Sequence, residues 1–324
     1  MTENLLVVGL THRLPAAIEA KLADRYDLRL PWSDAPRSRL DIRALLATTD
    51  VLVCTVADPI RAEDIPDAPR TRLIANYGVG VNHIDLKAAR SRGIIVTNTP
   101  GVLTDATAEL AITLMLMVAR RASEGERELR AGKWTGWEPT HLPGMALTGR
   151  TLGIIGMGRI GSETARRAAR GLGMRVCYYS RSAVPAERLT GFEATHVEDL
   201  GQLVREVDVL SLHCPLTPET HHLMDARRLA LMQPHALLIN TARGAVVDEA
   251  ALAAALARGH LGGCGLDVYE QEPVVHPALL EAERAVLLPH MGSATIEART
   301  AMGAMVLENI AAWERGEGPP NAVS

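Results

Sequence analysis

The stretch TLGIIGMGRIGSETARRAAR, residues 151–170, decides the fold of the central part of this chain. An apolar run of strand length leads into Gly156, Gly158 and Gly161, and a helix-like pattern follows. This G-x-G-x-x-G spacing permits a tight turn, a close approach of the backbone to a pyrophosphate, and packing of helix on strand. The spacing also occurs in turns that serve only packing, but a second strand-like run at 175–180 completes the expected unit. We therefore predict a dinucleotide-binding loop formed by Gly156, Met157, Gly158, Arg159, Ile160 and Gly161.

The end of the second run predicts which dinucleotide binds. In an NAD site this strand usually ends in an acid that accepts hydrogen bonds from the ribose 2′-OH, about 20 residues after the glycines. Here CYYSR, residues 177–181, ends in Ser180 and Arg181, and no acid occurs before Glu187. An arginine can hold a 2′-phosphate by charge-assisted bonds, with the serine hydroxyl as a donor. We predict NADP(H) over NAD(H); the alternative is that Arg181 is a solvent-facing loop residue.

Apolar runs of strand length alternate with helix-length segments along most of the chain, which is typical of parallel α/β architecture. The runs form two sets, at 5–10, 51–56, 73–78 and 93–98, and at 151–156, 175–180, 208–214, 235–242, 264–269 and 284–290. Such uninterrupted apolar runs suit strands that are covered on both faces. The pattern predicts an α/β fold with two parallel-sheet domains.

The segments around these runs suggest the domain boundaries. Helical spacing over 104–132 predicts one long helix that bridges the domains. The last helix-like run, about 294–315, is expected to pack back on the first domain. We therefore predict a discontinuous substrate-binding domain of residues 1–100 plus 291–324 and a dinucleotide-binding domain of residues 101–290. The tail GEGPPNAVS, 316–324, is expected to be loosely ordered.

Composition excludes several other classes of protein. The 34 basic and 38 acidic residues give a net charge of −4, without the basic excess typical of nucleic-acid or membrane-surface binding. The four cysteines lie far apart, in separate apolar runs, so we expect reduced thiols rather than disulfides or a zinc site. No run of about 18 apolar residues and no signal-peptide pattern occurs, which predicts a soluble cytoplasmic protein.

Three segments that follow strands of the second set supply candidates for chemistry. Hydride transfer to a carbonyl needs a cation to orient an anionic substrate and an acid to protonate the oxygen. NTARGAVVDE contains Arg243, GLDVYEQEP contains Glu272, and LLPHMGSAT contains His290. A guanidinium suits a 2-oxo carboxylate, and a carboxylate beside an imidazole favours its charged form. We predict that Arg243 anchors the substrate and that His290, kept protonated by Glu272, donates the proton.

Each candidate also has an ordinary structural explanation. His290 could cap the following helix, and Glu272 could be a surface turn residue. Their joint placement at strand ends of a dinucleotide fold favours the catalytic interpretation. The pair His221-His222 lacks spaced ligand partners, so we expect it to begin a polar helix and predict no metal site.

Five motifs together resemble the D-isomer-specific 2-hydroxyacid dehydrogenase family: LGIIGMGRIG, HCPLTPET, LINTARGAVVDE, GLDVYEQEP and LPHMGSAT. The resemblance covers nearly the whole chain, and YYSR with NTPGVLTDATAELA is similar to the glyoxylate/hydroxypyruvate reductase branch. It implies a flavodoxin-like substrate domain and a Rossmann-like cofactor domain with a cleft between them. It also implies a homodimer held through the cofactor domain, and the catalytic roles given above.

The same resemblance implies further contacts. The turn YGVGVNHID would present the amides of Val79 and Gly80 to the substrate carboxylate, with Arg243 as a further ligand. Relatives often carry an acid where this chain has Asn82, a departure that concerns substrate choice and not the reaction. The positions that match cofactor contacts are Thr104, Cys214, Pro215, Thr220, Thr241, Ala242, Asp267, His290 and Gly292, with Asp267 near the nicotinamide amide.

The segment GKWTGWEP contains two of the four tryptophans. A core position is the default for tryptophan. In the reductases that the chain resembles, however, this segment lies near the cleft of the partner subunit. Trp134 or Trp137 would then limit the size of the substrate.

Taken together, the sequence predicts an NADPH-dependent reductase of glyoxylate, hydroxypyruvate or similar short 2-oxo acids. A first alternative is the same scaffold acting on another 2-oxo acid or oxyanion, with NAD. A second is a dinucleotide-sensing regulatory protein without activity, against which the presence of all three catalytic candidates speaks.

Overall fold

The computed structural model describes residues 5–31 and 37–323, and these form two compact units. One unit runs to Leu103 and resumes at Ser293, and the other spans Thr104–Gly292. Each is built on a sheet in which all pairs of neighbouring strands are parallel. The predicted α/β class with two parallel-sheet domains is therefore confirmed. The assignment of substrate binding to 1–100 plus 291–324, and of cofactor binding to 101–290, stays a prediction.

The first unit has a five-stranded sheet in the order β2-β1-β3-β4-β5, which is the flavodoxin-like doubly wound order. Its elements are β1 Val7–Leu10, α1 Ala16–Ala23, β2 Asp27–Arg29, α2 Arg39–Thr48, β3 Val51–Thr55, β4 Leu73–Tyr77, α3 Leu86–Ser91, β5 Ile95–Thr97 and the closing helix α11 Ile296–Glu314. Val306 and Ile310 of α11 are buried in one core with Val8 and Val53. Helix α11 thus packs on the sheet that contains β1, although the two elements lie at opposite ends of the chain.

Two features of this unit differ from expectation. Strand β2 was not predicted, because it is a three-residue edge strand with the sequence DLR and no apolar run. The tail is not loosely ordered in its described part. Val323 donates a backbone hydrogen bond to Val96, and Asn321 accepts one from Asn98. Asn321 and Val323 are therefore held beside β5 by backbone hydrogen bonds. A polar, proline-containing sequence gives no local pattern from which to predict this pairing.

The second unit has a seven-stranded sheet in the order β12-β11-β10-β9-β6-β7-β8. Its strands are β6 Thr151–Ile155, β7 Arg175–Tyr179, β8 Thr195–His196, β9 Val209–Leu212, β10 Leu237–Asn240, β11 Gly263–Leu266 and β12 Ala285–Leu287. Its helices are α4 Thr104–Ala119, α5 Ala122–Arg130, α6 Arg159–Leu172, α7 Leu200–Glu206, α8 Ala226–Leu229, α9 Glu249–Ala257 and α10 Pro277–Leu280. Strand order reverses between β6 and β9, and ligands of such sheets bind at the carboxyl ends of the strands beside that point.

The long helix predicted over 104–132 is wrong as a single element. Helix α4 ends at Ala119, and Arg121 has a left-handed backbone with φ of 52° before α5 begins. The physical cause is a competing hydrogen bond, since the amide of Met145 donates to the Ala119 carbonyl at 2.7 Å. Both helices belong to the second unit.

The expectation that His221-His222 begins a helix is also wrong. His222 has a φ of 48° and lies in a turn, and its amide donates to the Ala245 carbonyl at 2.7 Å. Its Nε2 lies 3.1 Å from a carboxylate oxygen of Glu270. These contacts hold the turn against the segments that follow β10 and β11.

Helix α4 packs directly on the sheet because β11 has a small residue at the contact. A Cβ on Gly265 would lie 3.0 Å from the Cβ of Leu114. Leu114 is fully buried, whereas Leu116, on the other side of α4, is 38% exposed. Across residues 5–31 and 37–323, no helix is long and apolar enough to span a membrane.

We expect Leu114→Ala to lower the free energy of unfolding by about 2–5 kcal/mol, because it removes buried methyl groups and leaves a cavity against the sheet. Leu116→Ala is the matched control on the same helix and should change it by less than about 1 kcal/mol. Urea unfolding followed by circular dichroism measures both. Equal effects of the two changes would contradict the described packing of α4.

Candidate active site

The glycine loop lies between β6 and α6, at the strand-order reversal. Gly156 has a φ of 94°, and a Cβ there would lie 2.7 Å from the backbone nitrogen of Cys214, which follows β9. A Cβ on Gly161 would lie 2.2 Å from the Gly156 carbonyl oxygen, so helix and turn touch at this point. A Cβ on Gly158 would meet nothing within 4 Å. The first and third glycines are thus required for packing, and the second leaves open space at the helix N-terminus.

The other residues of this loop have different surroundings. Met157 is buried in the core beneath the turn, and Arg159 is exposed in the first turn of α6. Ile160 follows it and is half-buried. The unpaired amides and dipole of α6 make its N-terminus suited to a phosphate.

Ser180 and Arg181 lie directly after β7, the strand next to β6. The Ser180 hydroxyl donates to the Ser182 carbonyl at 2.6 Å, so its proton is used within the loop. Arg181 is exposed, and none of the described residues accepts a hydrogen bond from its guanidinium. A hydrogen bond with Thr217 lowers the pKa of Glu219, and the positive charge of Arg181 contributes to that shift. The arginine therefore lies close enough to the segment after β9 to act on it.

The segment after β9 holds Cys214, Pro215 and Thr220. Cys214 is buried, and burial raises the pKa of its thiol to about 11, so it is not a nucleophile at neutral pH. The Thr220 hydroxyl donates to the Pro215 carbonyl at 2.6 Å, which closes the turn.

The segment after β10 is shaped by Asn240, a residue that the sequence analysis did not select. Its side-chain oxygen accepts from the amide of Ala242 at 3.0 Å, and its side-chain nitrogen donates to the Arg243 carbonyl at 2.9 Å. The hydroxyl of Thr241 is buried without a hydrogen-bond partner among the described residues. Buried polar groups are seldom left unpaired, so this hydroxyl is a candidate contact for a ligand.

Arg243 follows this turn and is largely withdrawn from solvent. One guanidinium nitrogen donates to the carbonyl of Ala242 at 2.5 Å. Burial lowers the pKa of Arg243, and the negative charge of Glu272 acts in the opposite direction. A guanidinium stays protonated under such a shift, so Arg243 is a half-buried cation near a carboxylate.

Glu272 and His290 form a direct pair. The Nδ1 of His290 lies 2.7 Å from Oε2 of Glu272, while Oε1 of Glu272 accepts from the amide of Tyr269 at 3.1 Å. Burial raises the pKa of Glu272, but the hydrogen bond and charge of His290 outweigh it, and the net pKa is lowered. Glu272 is thus ionised at neutral pH and bound to one nitrogen of the ring. The other ring nitrogen, Nε2, makes no hydrogen bond to any residue that the structure describes.

The backbone at His290 is unusual. Its φ of 53° lies in the left-handed region, which residues other than glycine rarely adopt and which concentrates at functional sites. Asp267 holds the residues that follow, because its two carboxylate oxygens accept from the amides of Met291 at 2.6 Å and Gly292 at 2.8 Å. His290 does not cap the next helix, since Thr295 is the N-cap of α11.

The N-terminus of α4 reaches the same segment. Thr104 begins this helix, and the hydroxyl of Thr107 donates to the Gly292 carbonyl at 2.9 Å. Burial raises the pKa of Asp267 to about 6, despite its two backbone hydrogen bonds. Asp267 fixes the segment that contains His290, because its carboxylate binds the amides of Met291 and Gly292.

In the first unit, the turn after β4 contains the predicted carboxylate ligands Val79 and Gly80. Asn76 donates to the carbonyls of Gly78 and Gly80 at 3.0 Å each, and Asn98 donates to the carbonyl of Val79 at 2.8 Å. None of the described residues accepts a hydrogen bond from the amides of Val79 and Gly80. The turn thus has its carbonyls occupied and its amides available, which suits an anion. Asn76 and Asn98 were not predicted, because asparagine is too common in turns to stand out.

Three further residues from the sequence analysis lie on surfaces. Asn82 is exposed in the turn after β4. Trp134 is 52% exposed and Trp137 is 82% exposed in the second unit, so neither has the core position that is the default for tryptophan.

The structure brings together Arg243, Glu272 and His290, with Asp267, at the carboxyl ends of β10, β11 and β12. The glycine loop, Ser180, Arg181, Cys214 and Thr241 follow β6, β7, β9 and β10 on the same edge of the same sheet. These positions form one row because the carboxyl ends of parallel strands lie on one edge.

We expect Asp267→Asn to change the pH dependence of stability. The raised pKa means that the folded protein retains a proton that the unfolded chain releases, so wild type loses stability as pH rises from about 4 to 6. The variant has no such loss. Its free energy of unfolding relative to wild type should therefore rise by about 1–2 kcal/mol between pH 4.5 and pH 8.

Urea unfolding at the two pH values measures this difference. Asp67→Asn, at a fully exposed aspartate, is the control and should show no comparable change. A constant difference between Asp267→Asn and wild type across this range would refute a buried, proton-retaining Asp267.

Comparison with known proteins agrees with this arrangement. The sequence profile described as D-isomer specific 2-hydroxyacid dehydrogenase, NAD binding domain, matches residues 112–292. The chain is 45% identical to the glyoxylate reductase of Thermococcus litoralis, over 98% of this chain and 96% of that protein. It is similar to the crystal structure of a glyoxylate reductase from Paecilomyes thermophila, with a TM-score of 0.84, 34% identity and 98% of each chain covered.

A third similar protein is an NADPH-dependent glyoxylate/hydroxypyruvate reductase from Sinorhizobium meliloti, solved with NADP and malonate. Its TM-score is 0.85 at 32% identity, over 98% of this chain and 97% of that chain. The long, nearly end-to-end matches confirm the family that the motifs predict. The chain belongs to the D-isomer specific 2-hydroxyacid dehydrogenase family, in its glyoxylate reductase branch.

Proposed function

We propose that this protein is an NADPH-dependent reductase that converts glyoxylate, hydroxypyruvate and similar short 2-oxo acids to 2-hydroxy acids. The observation that carries the proposal is the 2.7 Å pair between Glu272 and His290, with the half-buried cation Arg243 close to Glu272. A protonated imidazole and a guanidinium are the two groups that reduction of a 2-oxo acid requires from the protein.

The residues of the second unit fit a nicotinamide dinucleotide. Open space at Gly158, at the N-terminus of α6, suits the pyrophosphate. The hydroxyl of Thr241, which has no hydrogen-bond partner among the described residues, offers a contact farther along the sheet edge. The bound cofactor would supply the hydride. The other residues proposed to hold it are Thr104, Gly156, Met157, Arg159, Ile160, Gly161, Ser180, Arg181, Cys214, Pro215, Thr220, Ala242, Asp267, His290 and Gly292.

The preference for NADPH rests on Arg181. The strand end carries no acid, and the exposed guanidinium is not hydrogen-bonded by described residues, so it can bind a 2′-phosphate. The related Sinorhizobium meliloti reductase is described as NADPH-dependent and was solved with NADP. The Ser180 hydroxyl already donates to Ser182, so its role toward a phosphate would require a rearranged hydroxyl proton.

Substrate binding is proposed to use both units. The amides of Val79 and Gly80 have no acceptor among the described residues, and they would bind the carboxylate together with Arg243. The first unit would then serve as the substrate-binding domain and the second as the NADP-binding domain.

Proton transfer follows from the hydrogen bonds around His290. Glu272 binds Nδ1 of the ring and stabilises the imidazolium, and Nε2 would give its proton to the carbonyl oxygen as hydride reaches the carbonyl carbon. Arg243 would hold the carboxylate and polarise the same carbonyl.

We also propose a homodimer held through the second unit. The apolar side chains of Leu129, Trp134 and Trp137 are exposed there, and a partner surface would cover them. In that assembly Trp134 or Trp137 would lie near the partner's substrate site.

The reaction is tested by following NADPH absorbance with glyoxylate, hydroxypyruvate, pyruvate and a bulky 2-oxo acid, and by repeating the panel with NADH. We expect turnover with the short acids and a higher kcat/KM with NADPH. A panel without turnover would refute the reductase, and a higher kcat/KM with NADH would refute the cofactor preference.

We expect Arg181→Ala to raise the KM for NADPH about ten- to a hundredfold and to change that for NADH by less than about twofold. The reason is the loss of a charge-assisted contact with the 2′-phosphate, which is worth about 1.5–3 kcal/mol. Arg205→Ala, at an exposed arginine of α7, is the control and should change neither value. Equal changes in the KM values for NADPH and NADH would show that Arg181 does not bind the 2′-phosphate.

We expect Glu272→Gln to lower kcat/KM for glyoxylate about a hundredfold and to move the basic limb of its pH profile to lower pH. The glutamine keeps a hydrogen-bond acceptor but removes the negative charge that favours the imidazolium. Steady-state rates between pH 5 and 9 measure both effects. A lower rate with an unmoved basic limb would contradict this role of Glu272.

A further inference from the structure

Behind the Arg243 and Glu272 segments lies a pair of glutamates that the proposed chemistry does not use. The amide of Glu249 donates to Oε1 of Glu270 at 2.7 Å, and the amide of Glu270 donates to Oε1 of Glu249 at 2.6 Å. Each glutamate thus binds the backbone of the other, across two segments that follow different strands. Glu249 is 6% exposed and the side chain of Glu270 is 25% exposed, so the pair is buried on the Glu249 side only.

The pair connects the two segments that carry the catalytic candidates. Glu249 begins α9, just after the turn that starts with Arg243, and Glu270 lies between β11 and Glu272. Between them, a Cβ on Gly244 would lie 1.8 Å from the carbonyl carbon of Tyr269, so the two backbones are in direct contact. The reciprocal bonds therefore join the segment that contains Arg243 to the segment that contains Glu272.

Two carboxylates close together repel each other, and this pair persists because its charges are met locally, although the side chain of Glu270 is 25% exposed. Burial raises the pKa of Glu249, and the charge of Glu270 raises it further against the backbone hydrogen bonds. On the other side, Nε2 of His222 lies 3.1 Å from Oε2 of Glu270. The charge of His276 acts on Glu249 in the favourable direction. Such an arrangement is costly for stability alone, since apolar residues would join the segments with less desolvation.

We propose that Glu249 and Glu270 are positioning residues, whose reciprocal backbone bonds set the placement of Arg243 relative to the Glu272–His290 pair. This inference rests on the proposed reductase function. Its physical basis is that a displacement of about 1 Å between catalytic groups can lower a rate about a hundredfold. Glu249 and Glu270 would not contact substrate or cofactor.

The test compares Glu270→Ala and Glu249→Ala with Glu270→Gln and Glu249→Gln. Alanine removes the side-chain oxygen that accepts from the backbone amide of the other glutamate. Glutamine keeps an oxygen for that hydrogen bond. We expect the alanine variants to lose about ten- to a hundredfold in kcat/KM for glyoxylate, and the glutamine variants to return to within about threefold of wild type. NADPH affinity, measured by fluorescence titration, should stay within about twofold in all four, because the glycine loop is not part of the pair.

Hydrogen–deuterium exchange gives a readout that is independent of catalysis. In the alanine variants, peptides covering 243–249 and 269–274 should exchange faster, and in the glutamine variants they should match wild type. The double variant Glu249→Ala/Glu270→Ala should lose more activity than either single variant, since each single change removes only one of the two reciprocal bonds. Glu281→Ala, at an exposed glutamate of the same unit, is the control and should alter neither exchange nor kcat/KM.

The outcomes separate this inference from the proposed function. Exchange that rises in the alanine variants while kcat/KM stays within about twofold would overturn the positioning role. Unchanged exchange in the alanine variants would show that the reciprocal bonds do not join the two segments. Faster exchange in the glutamine variants than in wild type would show the same. A loss of activity that is matched by an equal loss of NADPH affinity would indicate general damage and also overturn the positioning role. If wild type reduces no 2-oxo acid while exchange behaves as expected, the proposed function fails and the connection stands.

Discussion

The in-register pairing of β10, β11 and β12 is the constraint on which the candidate site depends. Asn240 lies opposite Leu266, and Leu266 lies opposite Leu287, so the three strands end at the same level. Neighbouring strands lie about 4.8 Å apart. The segments with Arg243, Glu272 and His290 therefore start within about 10 Å of one another before any side chain is considered. Parallel register thus brings together residues that are far apart in the chain.

Strand register alone does not fix side chains, and the segments are joined by a second set of hydrogen bonds. Asp267 binds the amides of Met291 and Gly292, and the Tyr269 hydroxyl donates to the carbonyl of Leu288 at 2.9 Å. In each case a polar side chain of one segment satisfies a backbone group of the next. If one segment is misplaced, a buried backbone group of the neighbouring segment loses its hydrogen bond, which costs about 1–3 kcal/mol. The edge behaves as one connected structure.

The sequence predicted most of what periodicity and glycine spacing encode. The apolar runs identified the longer strands, and the motifs placed Arg243, Glu272 and His290 at strand ends, where the structure has them. It did not predict β2 and β8, which are short edge strands without apolar runs, or the break at Arg121, which depends on a distant amide of Met145. Contacts that depend on one particular partner across the fold have no local pattern from which to be read.

The carboxyl groups of Asp267 and Glu272 have pKa values that the fold shifts in opposite directions. Asp267 is 1% exposed and the side chain of Glu272 is 35% exposed, and burial alone raises the pKa of each. For Glu272 the charged partner His290 and the charge of Arg243 reverse the shift. Asp267 is bound mainly by neutral amides, and its pKa stays raised at about 6. Environments that separate two pKa values in this way indicate which group serves as the ionic partner. The negative charge is stabilised on Glu272, against Nδ1 of His290, while Asp267 supports the segment from which the imidazole projects.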